Sequence, residues 1–285
     1  MTDAVDPIRA LQSHLEQWVH AYGADLAIPK GTVLERPTAA ATQVPVAADP
    51  TALAQPATAP PAEAPPAEAP PAEAPPAEAP PQHLDPKQNN TQQTVTSLRA
   101  IRAEVQDCTK CKLHAGRQKA VFGEGAPNAR VMFIGEAPGA REDQTGRPFV
   151  GEAGQLLDRI LKNAMGLERA EVFIANVNKC RPPANRTPEA DEVAACLPYL
   201  HRQIEIVQPE VLVCLGRTAA QNLLGSTEST TKLRQKQHEH QGIPVIVTWH
   251  PAYLLREPSR KREAWEDIKR VNHLLGLPED PSAST

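Results

Sequence analysis

Arg130-Val131-Met132-Phe133-Ile134-Gly135-Glu136-Ala137-Pro138-Gly139 is a short apolar run that ends in a turn marked by glycine and proline. Three similar runs follow: Val172-Phe173-Ile174-Ala175-Asn176, residues 211–216 and residues 244–249. Continuous apolar runs rich in branched side chains are what strands buried on both faces of a parallel sheet look like. Helical patterns occupy 154–165, 188–207, 218–224 and 259–275. This alternation predicts an α/β fold, a three-layer α/β/α arrangement on a short, mainly parallel four-stranded central sheet. Such sheets bind ligands beyond the carboxyl ends of their strands. Here those ends carry Gly135-Glu136-Ala137-Pro138-Gly139, residues 176–183 and His250-Pro251-Ala252-Tyr253.

Four of the five cysteines frame the first of these turns: Cys108 and Cys111 as a C-x-x-C pair before it, Cys180 and Cys196 after it. The N-terminus shows no apolar leader, so a cytoplasmic protein with reduced thiols is expected and disulfides are the weakest reading. Four thiolates suit tetrahedral zinc, with His114 close enough in sequence to replace one, and suit a [4Fe–4S] cluster equally. Spacing leaves both open, beside unligated core thiols. Cys214, inside the apolar run 211–216, reads as a small buried hydrophobe.

The 285 residues include 30 Pro but only 4 Phe, 3 Trp and 3 Tyr, so part of the chain is expected to pack no core. Residues 59–81 repeat Ala-Pro-Pro-Ala-Glu, an acidic, polyproline-prone spacer. Before it, Ile8, Leu11, Leu15, Trp18, Val19 and Tyr22 fall on one helical face. That helix is expected either to pack back on the domain or to dock a protein partner from a flexible tether. The expected organisation is an amphipathic helical segment at 1–25, a disordered Pro/Ala/Glu-rich linker at 26–95, one folded domain at 96–275 and a flexible tail at 276–285. Residues 1–95 carry 4 Lys/Arg against 11 Asp/Glu, and residues 96–285 carry 26 against 23. A mildly basic domain permits contact with a polyanion without demanding it. No run of 18 apolar residues occurs, so no membrane contact is expected.

Nucleotide fingerprints fail. Gly123 and Gly125 precede the first strand instead of following it, and no Lys-Ser/Thr follows Gly139. The motifs instead resemble those of the type 4 uracil-DNA glycosylases. The residues that carry the resemblance are Gly135–Gly139, Glu142-Asp143, Thr145-Gly146-Arg147-Pro148-Phe149-Val150-Gly151, Asn176-Val177-Asn178-Lys179-Cys180-Arg181-Pro182-Pro183 and His250-Pro251-Ala252-Tyr253-Leu254-Leu255-Arg256. The resemblance implies a [4Fe–4S] cluster on Cys108, Cys111, Cys180 and Cys196, and uracil-containing DNA, single- or double-stranded, as substrate. A monomer is expected.

Uracil must leave deoxyribose as an anion, so the site has to stack on the base, read its edge and stabilise charge on O2. Phe149 is the candidate for stacking and Asn176 for reading O4 and N3–H, a pattern that cytosine reverses. His250 is the candidate donor to O2. Backbone N–H groups around Ala137 and Gly139 are candidates for holding the base or a phosphate. A carboxylate must orient the attacking water and offset the oxocarbenium charge. Glu136 is the first choice, with Glu142 and Asp143 as alternatives, because the aspartate that type 1 relatives carry one position later is here Ala137. Tyr253, Leu254 and Leu255 are candidates for a wedge in the space the base vacates, and Arg256 for a phosphate contact. Lys232, Arg234 and Lys236, beside His238 and His240, read as a DNA-backbone loop or as a simple solvated one.

The resemblance implies a monofunctional glycosylase that leaves an abasic site. Two alternatives share the fold: a non-catalytic iron–sulfur protein that binds DNA or a polymerase, and a variant that traps its product covalently through a histidine in the loop after the second strand. That loop, Arg181-Pro182-Pro183-Ala184-Asn185-Arg186, has no histidine, and turnover is expected.

Overall fold

The computed structural model describes residues 91–279. The helix expected at 1–25, the linker up to residue 90 and the tail from 280 onward lie outside the described residues.

Six strands form one mixed sheet: β1 (Glu124–Gly125), β2 (Val131–Gly135), β3 (Phe173–Asn176), β4 (Val211–Leu215), β5 (His238–His240) and β6 (Ile243–Thr248), in the order β1-β3-β2-β4-β6-β5. β2 pairs in parallel with β3 and β4, and β4 with β6, whereas β1 and β5 lie antiparallel at the two edges. The expected four-stranded, mainly parallel sheet is therefore corrected to a mixed sheet of six. The four apolar runs do form strands. The two edge strands are too short to leave a readable period, and mixed charge and glycine disguise them further.

Continuous apolar runs arise because both faces of the sheet are covered. Met132 and Ile134 of β2, Phe173 and Ala175 of β3 and Leu212 and Cys214 of β4 enter one core. Val131 and Phe133, Ile174, and Val211 and Val213 enter the other. Each of the Val, Leu, Ile, Met and Phe side chains among them, fully withdrawn from water, contributes roughly 1.5–3 kcal/mol. Cys214 is fully buried, and burial pushes its thiol up to about 12, so it is an unreactive core residue.

The first core is covered by α1 (Thr91–Gln106), α4 (Ala190–Val207) and α5 (Arg217–Leu224), and the second by α3 (Glu152–Ile160), continued by a π-helical turn, and α8 (Lys261–Leu275). Three shorter helices, α2 (Ala140–Thr145), α6 (Thr230–Arg234) and α7 (Pro251–Arg256), complete the order. α1 begins five residues before the expected domain boundary of 96, and its Thr94, Leu98, Ile101 and Val105 are buried. Their spacing of four, three and four was the available signal. At the other end, residues expected to start a free tail are held: Asn272 Nδ2 donates to the Pro278 carbonyl at 3.0 Å, and Leu277 packs on the second core. Among the described residues no helix is long and apolar enough to cross a membrane.

Candidate active site

The turns that end β2, β3 and β6 close around a cavity of about 410 Å³, whose lining includes Glu136, Ala137, Gly139, Glu142, Phe149, Asn176, His250, Tyr253 and Arg256. That volume lies within the roughly 300–1,000 Å³ usual for small-molecule sites. A larger groove of about 700 Å³ runs beside β5 and α8 and includes His238, but none of the residues expected to bind the base, activate water or form the wedge.

Asn176 ends β3 with only 2 % of its surface exposed, and among the described residues its Oδ1 has no hydrogen-bond partner. A buried acceptor left bare costs about 1–3 kcal/mol, so its retention points to a ligand donor. Phe149 lies beside it with a backbone φ of 51°, a strained value for an aromatic residue of the kind found at functional sites. Gly135 makes both placements possible. A Cβ there would lie 2.4 Å from Asn176 Oδ1 and 2.6 Å from Phe149 Cζ.

The three candidate carboxylates differ in what they already hold. Glu142 Oε1 accepts the backbone N–H groups of Val150 at 2.8 Å and Gly151 at 3.0 Å, which fixes the turn that carries Phe149. Asp143 is 2 % exposed, accepts from the Gln118 backbone N–H at 3.0 Å and is absent from the cavity lining. It is therefore corrected to a structural group. Glu136 faces the cavity, and its Oε2 accepts from Thr218 Oγ1 at 2.5 Å. Thr218, near the start of α5, escaped the sequence reading because it meets Glu136 across 82 positions of chain and carries no motif. Asn185 and Arg186, also missed, line the cavity from the loop after β3.

His250 caps α7: its Nδ1 accepts the Ala252 backbone N–H at 3.1 Å, which leaves the proton of the neutral ring on Nε2. Burial, helped by the nearby Arg256 cation and opposed by Glu142, pushes its pKa down to about 4. The ring is neutral at physiological pH. It lies 5.5 Å from the Phe149 ring, centroid to centroid.

Of the wedge candidates, Leu254 is 1 % exposed and belongs to the second core, so it is corrected to a packing residue. Leu255, 37 % exposed, projects from the same helix, and Tyr253 stacks on Trp249 with centroids 5.0 Å apart. In the basic stretch 232–236, Arg234 is engaged by Glu263 and by Asp267 at 2.7 Å, and Lys236 by Glu228 at 2.7 Å, so two of its three cations are already paired, while Lys232 is exposed.

Apart from this cavity, Cys108, Cys111, Cys180 and Cys196 line one small chamber together with His114, Arg117 and Lys179. Arg117 Nη1 donates to Cys180 Sγ, and the Lys179 backbone N–H donates to Cys196 Sγ, each at 3.2 Å. Arg117 also donates to the carbonyls of Cys108 at 2.8 Å and Gln106 at 2.5 Å. Burial raises the Cys180 thiol and pushes that of Cys196 up to about 11. Among the described residues, no three His, Cys, Asp or Glu side chains are arranged to hold a single metal ion. Lys112 reaches across to Glu189, the N-cap of α4, and the Arg186 guanidinium beside its capping partner Glu192 holds that carboxyl's pKa down to about 2. Lys179 itself is 1 % exposed; burial pushes its ammonium down to about 8, and Nζ donates to the Asn176 carbonyl at 2.8 Å and to Gln203 Oε1 at 2.6 Å.

The family model of the uracil DNA glycosylase superfamily matches residues 122–269. A type-4 uracil-DNA glycosylase of Sulfurisphaera tokodaii is 47 % identical over 190 residues, 64 % of this chain and 86 % of that protein. One of Thermotoga maritima is 46 % identical over 179 residues, 61 % of this chain and 93 % of its own. A type-5 uracil-DNA glycosylase of Pyrobaculum aerophilum is 35 % identical over 147 residues, 46 % of this chain and 64 % of that protein.

Proposed function

The chain belongs to the type-4 uracil-DNA glycosylases of the uracil-DNA glycosylase superfamily, and from that membership we propose that it hydrolyses the N-glycosidic bond of a uracil flipped out of DNA and leaves an abasic site. It is a DNA-repair hydrolase of N-glycosyl bonds. The observation that carries the site assignment is the meeting of Glu136, Phe149, Asn176 and His250 around one cavity, with Asn176 Oδ1 bare.

The flipped base stacks on Phe149, and Asn176 Oδ1 accepts its N3–H while the amide nitrogen donates to O4. Cytosine presents an acceptor at N3 and an amine at the 4-position, so it would face two like groups. His250 donates from Nε2 to O2 as negative charge develops there, and its low pKa supports a neutral donor that works without a proton-transfer equilibrium of its own. Glu136 orients the water that attacks the anomeric carbon and offsets the cationic sugar. Thr218 fixes one of its oxygens, which supports this choice over Glu142, whose Oε1 is already committed to two backbone amides. Tyr253 and Leu255 fill the vacated stack and Arg256 meets a flanking phosphate. The loop after β3 carries no histidine, which favours turnover over a trapped product.

The four cysteines would hold a [4Fe–4S] cluster. Their donor set fits: four thiols around one chamber, two of them receiving N–H donors, with Arg117 and Lys179 nearby to balance anionic charge. When bound, the cluster supplies a covalent clamp between the segment before β1 and the loop and helix after β3. Burial holds the Cys180 and Cys196 thiols protonated, so metal binding should be coupled to their ionisation and to folding.

The test is a labelled single strand bearing one uracil, incubated with the protein and then treated with alkali. Breaks that appear only after alkali are expected. No break would overturn the reading, and an SDS-resistant, slow-migrating band would replace it with covalent trapping.

A further inference from the structure

Lys179 is fully buried, yet the two groups its ammonium meets, the Asn176 carbonyl and Gln203 Oε1, are neutral oxygens. A methionine of similar length would fill the same space without burying a charge, so packing alone does not account for a lysine here. Gln203, itself fully buried, is held in turn by its Nε2, which donates to the Phe122 carbonyl at 2.9 Å. The lysine therefore has a fixed orientation. At one end its ammonium grips the backbone of the residue whose side-chain Oδ1 is bare in the cavity. At the other, its backbone N–H grips Cys196 Sγ.

We propose that Lys179 is a positioning residue for uracil recognition: by holding the Asn176 carbonyl it sets the amide that reads the base, and through its own N–H it ties that setting to the cysteine chamber. The inference rests on the reading of Asn176 given above. Asn176 terminates β3 opposite Gly135 of β2 and beyond the two β3 residues that pair with β1, and a rotation there would swing Oδ1 out of line with N3–H.

The test uses the full chain with its cluster loaded and measures inhibition by free uracil, alongside visible absorbance and melting temperature. Lys179→Met should weaken inhibition about tenfold, the effect of one misaligned hydrogen bond, while absorbance per protein is retained. Asn176→Ala should weaken inhibition at least as much, and the double variant should be no weaker than Asn176→Ala alone, because both act through one amide. A merely structural lysine would lower the melting temperature and leave inhibition per loaded molecule unchanged, which would overturn the proposal. Additive losses in the double variant would overturn it too. Unchanged inhibition in Asn176→Ala would overturn the pocket reading first and this inference with it. If Lys179→Met does not load, Gln203→Met replaces it: about threefold weaker inhibition is expected from a lysine that has lost its guide, and none would count against the proposal.

Discussion

In the proposed uracil pocket, Asn176 Oδ1 is buried without a partner among the described residues, Phe149 holds a strained backbone at φ 51° and Glu136 is fixed through one oxygen. In the cysteine chamber, Arg117 donates three hydrogen bonds, Lys179 donates three and Lys112 spans to the cap of α4. The first region keeps donors, acceptors and strain in reserve for a ligand. The second uses them to lock chain segments together. The difference teaches that a site can afford unsatisfied groups only where a neighbouring region over-determines the backbone that carries them. Changes in the chamber should therefore act on folding, and changes in the pocket on rate or recognition.

The largest effect should come from the chamber. Cys196→Ser, or chelation of the proposed cluster's iron, should remove about 5 kcal/mol or more of stability, enough to unfold much of the domain. Iron content and thermal melts check it, and a colourless protein with an unchanged melt would break the comparison. In the pocket, His250→Ala should lower the single-turnover rate about 10²- to 10³-fold, the usual loss for one donor to a developing oxyanion, with the melt little changed. Thr218→Val should cost about tenfold in rate, since it frees the Glu136 carboxylate without removing it. DNA affinity measured in parallel should not move.

Acidification reads stability instead of rate and sharpens the boundary between the two regions. His250 titrates at about 4 in the fold and near 6.5 when unfolded, so the unfolded chain takes up the proton first as pH falls. Its contribution to stability is complete above 6.5 and is lost between 6.5 and 4. The loss should be on the order of 2 kcal/mol, below the full shift because the ring edge opens to the cavity. Chemical denaturation against pH should show His250→Gln with a shallower decline than the parent.

The four apolar runs made the parallel strands legible because burial on both faces leaves no polar positions to confuse the period. β1 and β5 were not legible, since strands of two and three residues exist only through the partners they pair with. The cavity residues were visible as turns at strand ends. What sequence could not separate were neighbours in one motif: Asp143 from Glu142, or Leu254 from Leu255, where a single step along a helix turns a side chain from the core to the cavity or to solvent. Thr218 and Gln203 were invisible, because each acquires its place through a contact more than 20 residues away in the chain.

The division between the two regions stands or falls with Glu136. The direct measurement compares the single-turnover excision rate and the affinity for a uracil-bearing strand in cluster-loaded Glu136→Gln and its parent. The rate should fall about 10³-fold, within the range for a positioned carboxylate, while affinity, visible absorbance and melting temperature stay unchanged. Equal losses of rate and affinity would contradict the account and make Glu136 a binding residue.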